Sequence, residues 1–429
     1  MDKTRPRIVV VSHMCPFPPV HGNRSRFVRL LEWFRDNGFA VTFILQPLDV
    51  ESVDGLCQLR RLVNRLEVVR PRGLGARVLG RIKDYIRLGR VVVPDRPGKA
   101  LGRMWRRRRV PAPQLRESGA SGDIGGDDHI DGWCWSVTCR AVERAVRRDR
   151  PIAVLAEYAL LTKSFERVPS SVLKVIDTVE VFFRNPERFD IPGLVAPKVC
   201  SPESELLALG RADLLIAIHR NDARELSHRF PRARVITVPH SYHQLPRRPE
   251  GPTRGSVLYV GSSNPFNVHG LREFLAQAWP SILAQVPTAT LRVVGSVPEE
   301  ICADADRVLH IGRVADAMLA REYQAAHVVV NPQIAGTGLK IKCVEALSAG
   351  CPLVVNRAGA DGLEEGEGAA FLVASTWPQF AAHVVGLLTN DQARLELEAQ
   401  ARTFANRLFS PDAAFAELQS ALALNGNVA

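Results

Sequence analysis

The sequence predicts an α/β protein of two doubly wound, Rossmann-like domains, each on a parallel sheet. Three observations carry this. Strand, loop, helix and strand patterns follow one another from residue 8 to residue 45, which makes one βαβ unit. A second series of the same kind starts at Val257. Between the two lies Leu245 to Arg254 (LPRRPEGPTR), Pro/Arg/Gly-rich and without periodicity, which reads as a domain linker.

In chain order, Ile8 to Val11 is a buried strand, and Pro16, Pro18, Pro19 and Gly22 mark a loop. From Arg26 the apolar residues Phe27, Leu30, Leu31 and Phe34 recur at helical spacing, and Asn37-Gly38 closes the helix. Ala40 to Leu45 is the next strand. Residues 74–90 form an amphipathic stretch with a stripe of Leu74, Val78, Leu79, Ile82 and Ile86 and a face of arginines. Residues 117–131 are Gly/Ser/Asp-rich and expected to be a mobile loop. A helix over 136–147 leads to strands at 152–156 and 172–176, the second running into Asp177-Thr178-Val179-Glu180. Strands at 214–217 and 235–238 complete a first domain of residues 1–245. The second domain, 254–408, has strands at 257–260, 291–294, 308–311, 328–330 and 353–355. A helix over 411–424 lies in a tail, 409–429, which the family resemblance given below implies returns toward the first domain.

Of the 429 residues, 46% are apolar and 24% charged, which excludes collagen-like and wholly disordered chains. No run approaches the roughly 18 apolar residues of a membrane span. The N-terminus runs straight into a strand, so no signal peptide is expected. The eight cysteines show no metal-ligand spacing, so they read as reduced thiols of a cytoplasmic protein with no metal site. Neither GxGxxG nor GxxxxGK[ST] occurs, which argues against a dinucleotide fingerprint or a P-loop. The net charge of +11 is local: residues 58–110 hold 17 Lys/Arg against 3 Asp/Glu. Such a segment either meets phosphates or an anionic membrane surface, or is simply a solvated face. It lacks aromatic interleaving, and no nucleic-acid-binding signature is present, so no nucleic acid partner is expected.

In doubly wound sheets, ligands bind beyond the carboxyl ends of the strands. Two such loops stand out. Ser12 to Arg26 brings Gly22 and Arg24 to a helix start, where backbone amides suit a phosphate. Ile334 to Val355 runs from a Gly-containing loop, Gly336-Thr337-Gly338-Leu339, into a helix carrying Lys340, Lys342 and Glu345. Lys342 and Glu345 are three apart and share a helix face, so they make either a surface ion pair or a clamp on a phosphate and a vicinal diol. His219, His240 and His243 lie at strand ends and are expected to be packed or solvent-facing. Cys343 is expected in the core; Trp133, Trp135 and Tyr158 either stack on a sugar or, as is expected, serve as core or loop anchors.

The run GxGLKIKxxEALxxGxPxVV resembles the donor-binding element of retaining glycosyltransferases of family 4, which have the GT-B fold. RIVVVSHMCPFPPVHGNRSRFVRLLEWFRDNGFAVTFI is similar to that family's opening strand and phosphate-facing loop. VLYVGSSNPFNVHGLREFLAQAWPSILAQVPTATLRVVG and HIGRVADAMLAREYQAAHVVVNP resemble successive parts of its second domain. The resemblance spans both domains and is weakest over residues 46–150. It implies hexosyl transfer from a nucleotide-diphosphate sugar, with retention, and no cofactor or catalytic metal. Glu345 matches the family Glu that binds the ribose hydroxyls, and Lys342 matches a basic position facing the diphosphate. Gly22 and Arg24 fall in the loop closing over the phosphates, and Gly336 to Leu339 with Lys340 border the sugar and phosphate.

Three departures bear on catalysis. The first Glu of the family's E-x7-E pair falls on Thr337. The family's phosphate Arg falls near Ser262 or Ser263, and its Lys-Gly on His269-Gly270. Val179 stands where relatives place a His facing the donor sugar, which leaves Glu180, Asp177 or His13 for a polar role. Glu180 is the expected acid/base; front-face transfer can also let the departing phosphate accept the acceptor's proton, so that catalysis rests on positioning and charge stabilisation. The expected acceptor is a saccharide or lipid-linked saccharide of a bacterial surface polysaccharide or lipopolysaccharide. Residues 74–110 would then meet the inner face of the plasma membrane, making the enzyme peripheral. The alternative is a degenerate GT-B protein that binds a nucleotide sugar or a partner without turnover. A GT-B epimerase is disfavoured by the pattern around Lys342 and Glu345.

Overall fold

The computed structural model describes residues 5–19, 22–48, 51–70, 129–184, 199–246, 251–302, 305–336 and 338–426. Thr337, the basic stretch 74–110, residues 117–128 of the Gly-rich segment and linker residues 247–250 lie outside the described residues.

The first domain runs β1 (Arg7–Ser12), α1 (Gly22–Asp36), β2 (Ala40–Leu45), α2 (Val53–Leu62), β3 (Arg65–Val68), α3 (Ser136–Asp149), β4 (Ala153–Glu157), β5 (Leu173–Asp177), α4 (Pro202–Leu209), β6 (Leu214–Ala217), α5 (Arg220–Arg229) and β7 (Arg234–Thr237). Its seven strands are parallel, in the order β3-β2-β1-β4-β5-β6-β7. The second continues with β8 (Ser256–Gly261), α6 (Pro265–Gln277), α7 (Trp279–Gln285), β9 (Thr290–Gly295), β10 (Val308–Gly312), α8 (Asp316–Ala325), β11 (Val328–Asn331), α9 (Ile341–Ser348), β12 (Leu353–Asn356), β13 (Leu372–Ala374), α10 (Trp377–Thr389) and α11 (Asp391–Phe409). Its six strands are parallel too, in the order β10-β9-β8-β11-β12-β13. The last helix, α12 (Pro411–Gly426), crosses back.

Both faces of each sheet are covered, as parallel sheets require. In β1, Val9 and Val11 enter one core and Ile8 and Val10 the other. The second of these cores also takes Phe415, Leu418 and Leu422 of α12, with the Phe415 ring stacked on Trp33 at 5.1 Å. Burying side chains of this size contributes about 1.5–3 kcal/mol each.

Three expectations are corrected. Helix α1 begins at Gly22 rather than Arg26, so Gly22 and Arg24 lie in its first turn and not in the preceding loop. The signal was obscured because Arg26 reads as exterior, yet it is 3% exposed and ion-paired with Asp177. Residues 129–131 belong to no mobile loop: Ile130 is buried, its amide donates to Ser204 Oγ at 2.6 Å, and Asp131 pairs with Arg211 at 2.6 Å. Helix α2 and the edge strands β3 and β13 were not expected. β3 has no fully buried residue and β13 only three residues, so neither carries a strong periodic signal.

Candidate functional site

Strand order reverses between β1 and β4 in the first sheet and between β8 and β11 in the second. Each reversal parts the loops at the carboxyl edge and opens a crevice there. The two crevices meet in one cavity of about 270 Å³. Asn23, Tyr158, Val179 and Glu180 line it from the first domain; Asn264, Gln333, Gly336, Gly338, Leu339 and Ile341 line it from the second.

The second-domain wall is set by the approach to α9. Gly336 and Gly338 have φ of 92° and 76°, a region that favours glycine. The Gly338 amide donates to Asp361 at 2.8 Å, and Lys340, at the N-cap of α9, donates to the carbonyls of Gly336 (3.2 Å) and Gly338 (2.6 Å). Lys340 thus binds the loop itself, while Leu339 is buried in the domain core beside it.

Lys342 and Glu345 follow the lining residue Ile341 along α9. Among the described residues they do not pair with each other. The Lys342 ammonium donates to Asn267 Oδ1 at 2.7 Å and stands 5.4 Å from the centre of the Tyr259 ring, with no carboxylate in ion-pairing range. Burial pushes it down to about 8, and an anion placed beside it would favour its charged form. Asn267 in turn donates to Ser262 Oγ at 3.0 Å. Glu345 accepts the Tyr323 hydroxyl at 3.0 Å, and burial pushes its carboxyl up to about 7.

The first-domain wall is tight at Gly22. A Cβ there would lie 2.6 Å from Ile341 Cδ1, so α1 and α9 meet almost end to end across the cleft. Asp177 is fully buried and ion-paired with Arg26, which also donates to the Val238 carbonyl at 2.9 Å. Its neighbour Glu157, in register with it across β4 and β5, is held well above the ordinary carboxylate range by burial and accepts from Ser12. The His13 ring stands edge-on to Tyr158 at 5.3 Å; burial, then the charge of Arg24, lowers it to about 4, so it is neutral at neutral pH. Glu180 is the member of this acidic set on the cavity wall. Val179 just before it, and Tyr158 on the same wall, have φ of 52° and 59°, a region that non-glycine residues rarely adopt, a β-branched one least of all. Strain of this kind collects at functional sites.

The structure therefore brings Glu180, Gly336, Gly338 and Leu339 around one cavity, with Gly22 at its edge against Ile341. It places Asp177 beneath that wall, in the pair with Arg26. Sequence reasoning missed Asn23, Gln333, Asp361 and Asn267. An Asn within a helix reads as surface, and nothing in the sequence marks Asn267 as the partner of Lys342, 75 residues on. Tyr158 was read as an anchor, yet it lines the cavity and accepts from Asn23 at 3.2 Å.

Residues 254–390 match the family model described as Glycosyl transferases group 1. A 44.6 kDa protein in the cps region of Klebsiella pneumoniae is 23% identical over 173 residues, 38% of this chain and 45% of that protein, so the match spans less than half of that curated relative. Sucrose-phosphate synthase from Thermosynechococcus elongatus superimposes with a TM-score of 0.63 at 15% identity, covering 99% of this chain and 100% of that one. Anabaena HepE in complex with UDP gives 0.62 at 14%, covering 97% and 99%. The pneumococcal O-GlcNAc transferase GtfA in complex with UDP and GlcNAc gives 0.66 at 10%, covering 98% and 99%. At these identities the likeness establishes the fold, and that fold is GT-B.

Proposed function

From a group 1 glycosyltransferase domain on a GT-B scaffold, we propose that the protein transfers a hexosyl unit, with retention, from a nucleotide-diphosphate sugar to a saccharide or lipid-linked saccharide. The observation that carries this is the pair of opposed crevices meeting at one cavity, with Lys342 next in chain to the lining residue Ile341 and, among the described residues, without a carboxylate partner. In this reading residues 254–408 hold the donor, residues 1–245 hold the acceptor and residues 409–429 bind the two together. Lys342 and the positive end of the α9 dipole stabilise the departing diphosphate. Glu345 accepts the ribose hydroxyls once ionised. Thr337 with Gly336 to Leu339 borders the sugar, and Gly22 and Arg24 close the phosphate side.

Glu180 is the acid/base group. It reaches the cavity, whereas Asp177 is held by Arg26 and His13 is neutral and packed on Tyr158. No cofactor or metal takes part. The UDP held by the structurally similar HepE and GtfA makes UDP-sugars the first donors to test. The cps-region relative favours a surface polysaccharide as product. The basic residues 74–110 would then place a cytoplasmic enzyme at the inner face of the membrane. Among the described residues no helix is long and apolar enough to cross it.

A thermal-shift panel of UDP-, GDP-, ADP- and dTDP-sugars on wild type and Glu345→Ala tests the donor site, because a ligand of the folded state raises the midpoint by mass action. One nucleotide should raise it, and Glu345→Ala should abolish the rise. No rise with any nucleotide would reject the donor site. Val179, in place of the family's His, favours a second reading, binding without turnover. It predicts the same rise with no release of UDP from a UDP-sugar.

A further inference from the structure

We propose that Glu205 is a positioning residue for Glu180, acting through a backbone clamp on the turn that carries it. This rests on the assignment of Glu180 as the acid/base group. Glu205 projects from α4, is 1% exposed, and accepts the two successive amides of Phe182 (2.9 Å) and Phe183 (2.5 Å) on its two oxygens. A buried carboxylate is costly unless its lone pairs are met, and here two backbone donors meet them.

The segment it holds is short and constrained at its other end. Thr178 is fixed to β6, its hydroxyl donating to the Ile216 carbonyl at 2.8 Å and its amide to the same oxygen at 3.0 Å. Between that anchor and the clamp the chain turns through Val179 at φ 52°, and the Glu180 amide donates back to the Thr178 carbonyl. A Val in this conformation persists only when its surroundings over-determine it. Glu205 supplies the second fixed point, two residues beyond Glu180. The clamp also sets the Phe182 ring, which stacks on Tyr158 at 5.8 Å and 5° between planes. Tyr158 is itself on the cavity wall. Glu205 is not among the residues lining the cavity, and its hydrogen bonds go to the turn that carries Glu180.

The test is a double-mutant cycle on UDP release from UDP-glucose and UDP-N-acetylglucosamine, with the UDP thermal shift and hydrogen exchange of residues 178–184 measured beside it. Glu205→Gln is near-isosteric but presents an NH₂ to one of the two amides. It should lower kcat by about 10- to 100-fold with the KM and the UDP shift unchanged, and it should speed exchange in 178–184. In a Glu180→Gln background it should lower kcat little further, since coupled residues are not additive. Val179→Gly, which occupies φ 52° without strain, should restore part of the rate lost in Glu205→Gln. A rate loss in Glu180→Gln with none in Glu205→Gln, or with fully additive losses, overturns the clamp and leaves the acid/base assignment standing. A neutral Glu180→Gln overturns both, with the donor-site thermal shift still judged separately. If no variant releases UDP, unchanged exchange at 178–184 in Glu205→Gln overturns the clamp.

Discussion

A carboxyl group drawn from an ordinary 4.5 up to about 7, as Glu345 is, binds its proton more tightly folded than unfolded. Folding stability therefore falls as pH rises from 4.5 to 7 and is level above that. Glu345→Gln has no such proton to lose and keeps an oxygen for Tyr323. The variant should match wild type in Tm near pH 4.5 and exceed it by on the order of 3 °C at pH 8; a gap constant with pH would contradict this. The same residue was legible from spacing in a motif, as was Lys342. Their partners were not. Tyr323 and Asn267 come from α8 and α6, and nothing local to either residue signals that it meets α9. Glu205 was equally silent: an acid in a helical first turn reads as solvated, and only the tertiary structure turns its oxygens to two amides of a distant loop.

The starts of α1 and α9 oppose each other with no room for a methyl group at Gly22. Gly22→Ala gains helix propensity of about 1 kcal/mol but forces Ile341 aside, an overpacking that typically costs about 1–3 kcal/mol. The single variant should lose stability and weaken the UDP thermal shift, because the start of α9 moves. Gly22→Ala with Ile341→Val should recover both and exceed the single variant in Tm; recovery of neither would show that the contact is slack. Element by element, the central strands were readable because both sheet faces bury them and leave continuous apolar runs. Strands β3 and β13 sit at sheet edges, where fewer residues are buried and the run is short. The start of α1 was misplaced because a buried ion pair, Arg26 with Asp177, wears a surface residue's identity.

The two sheets, the switch points and the crossover helix make one molecule whose parts are tied at the far end of the cleft. Arg220 of α5 pairs with Glu365, which also bonds Arg407 of α11, and Asn221 donates to Glu364 at 2.8 Å. These exposed pairs add little stability; the main tie is apolar, at α12. Phe415→Ala should destabilise the protein by about 3–5 kcal/mol, read by chemical denaturation, since it empties a filled site against Trp33. A cost under about 1 kcal/mol would show that α12 is only loosely docked. At this scale the sequence was most informative: repeated strand-and-helix order implied two doubly wound sheets, and that order alone placed the cavity. The crossover has a further effect, on the timing of synthesis. The chain grows from its N-terminus, yet the core around β1 is completed by residues 414–422. On the ribosome the first domain must wait, one face open, until the whole second domain has been made. Until then the Trp33 surface that Phe415 covers is what chaperones or neighbouring nascent chains would meet.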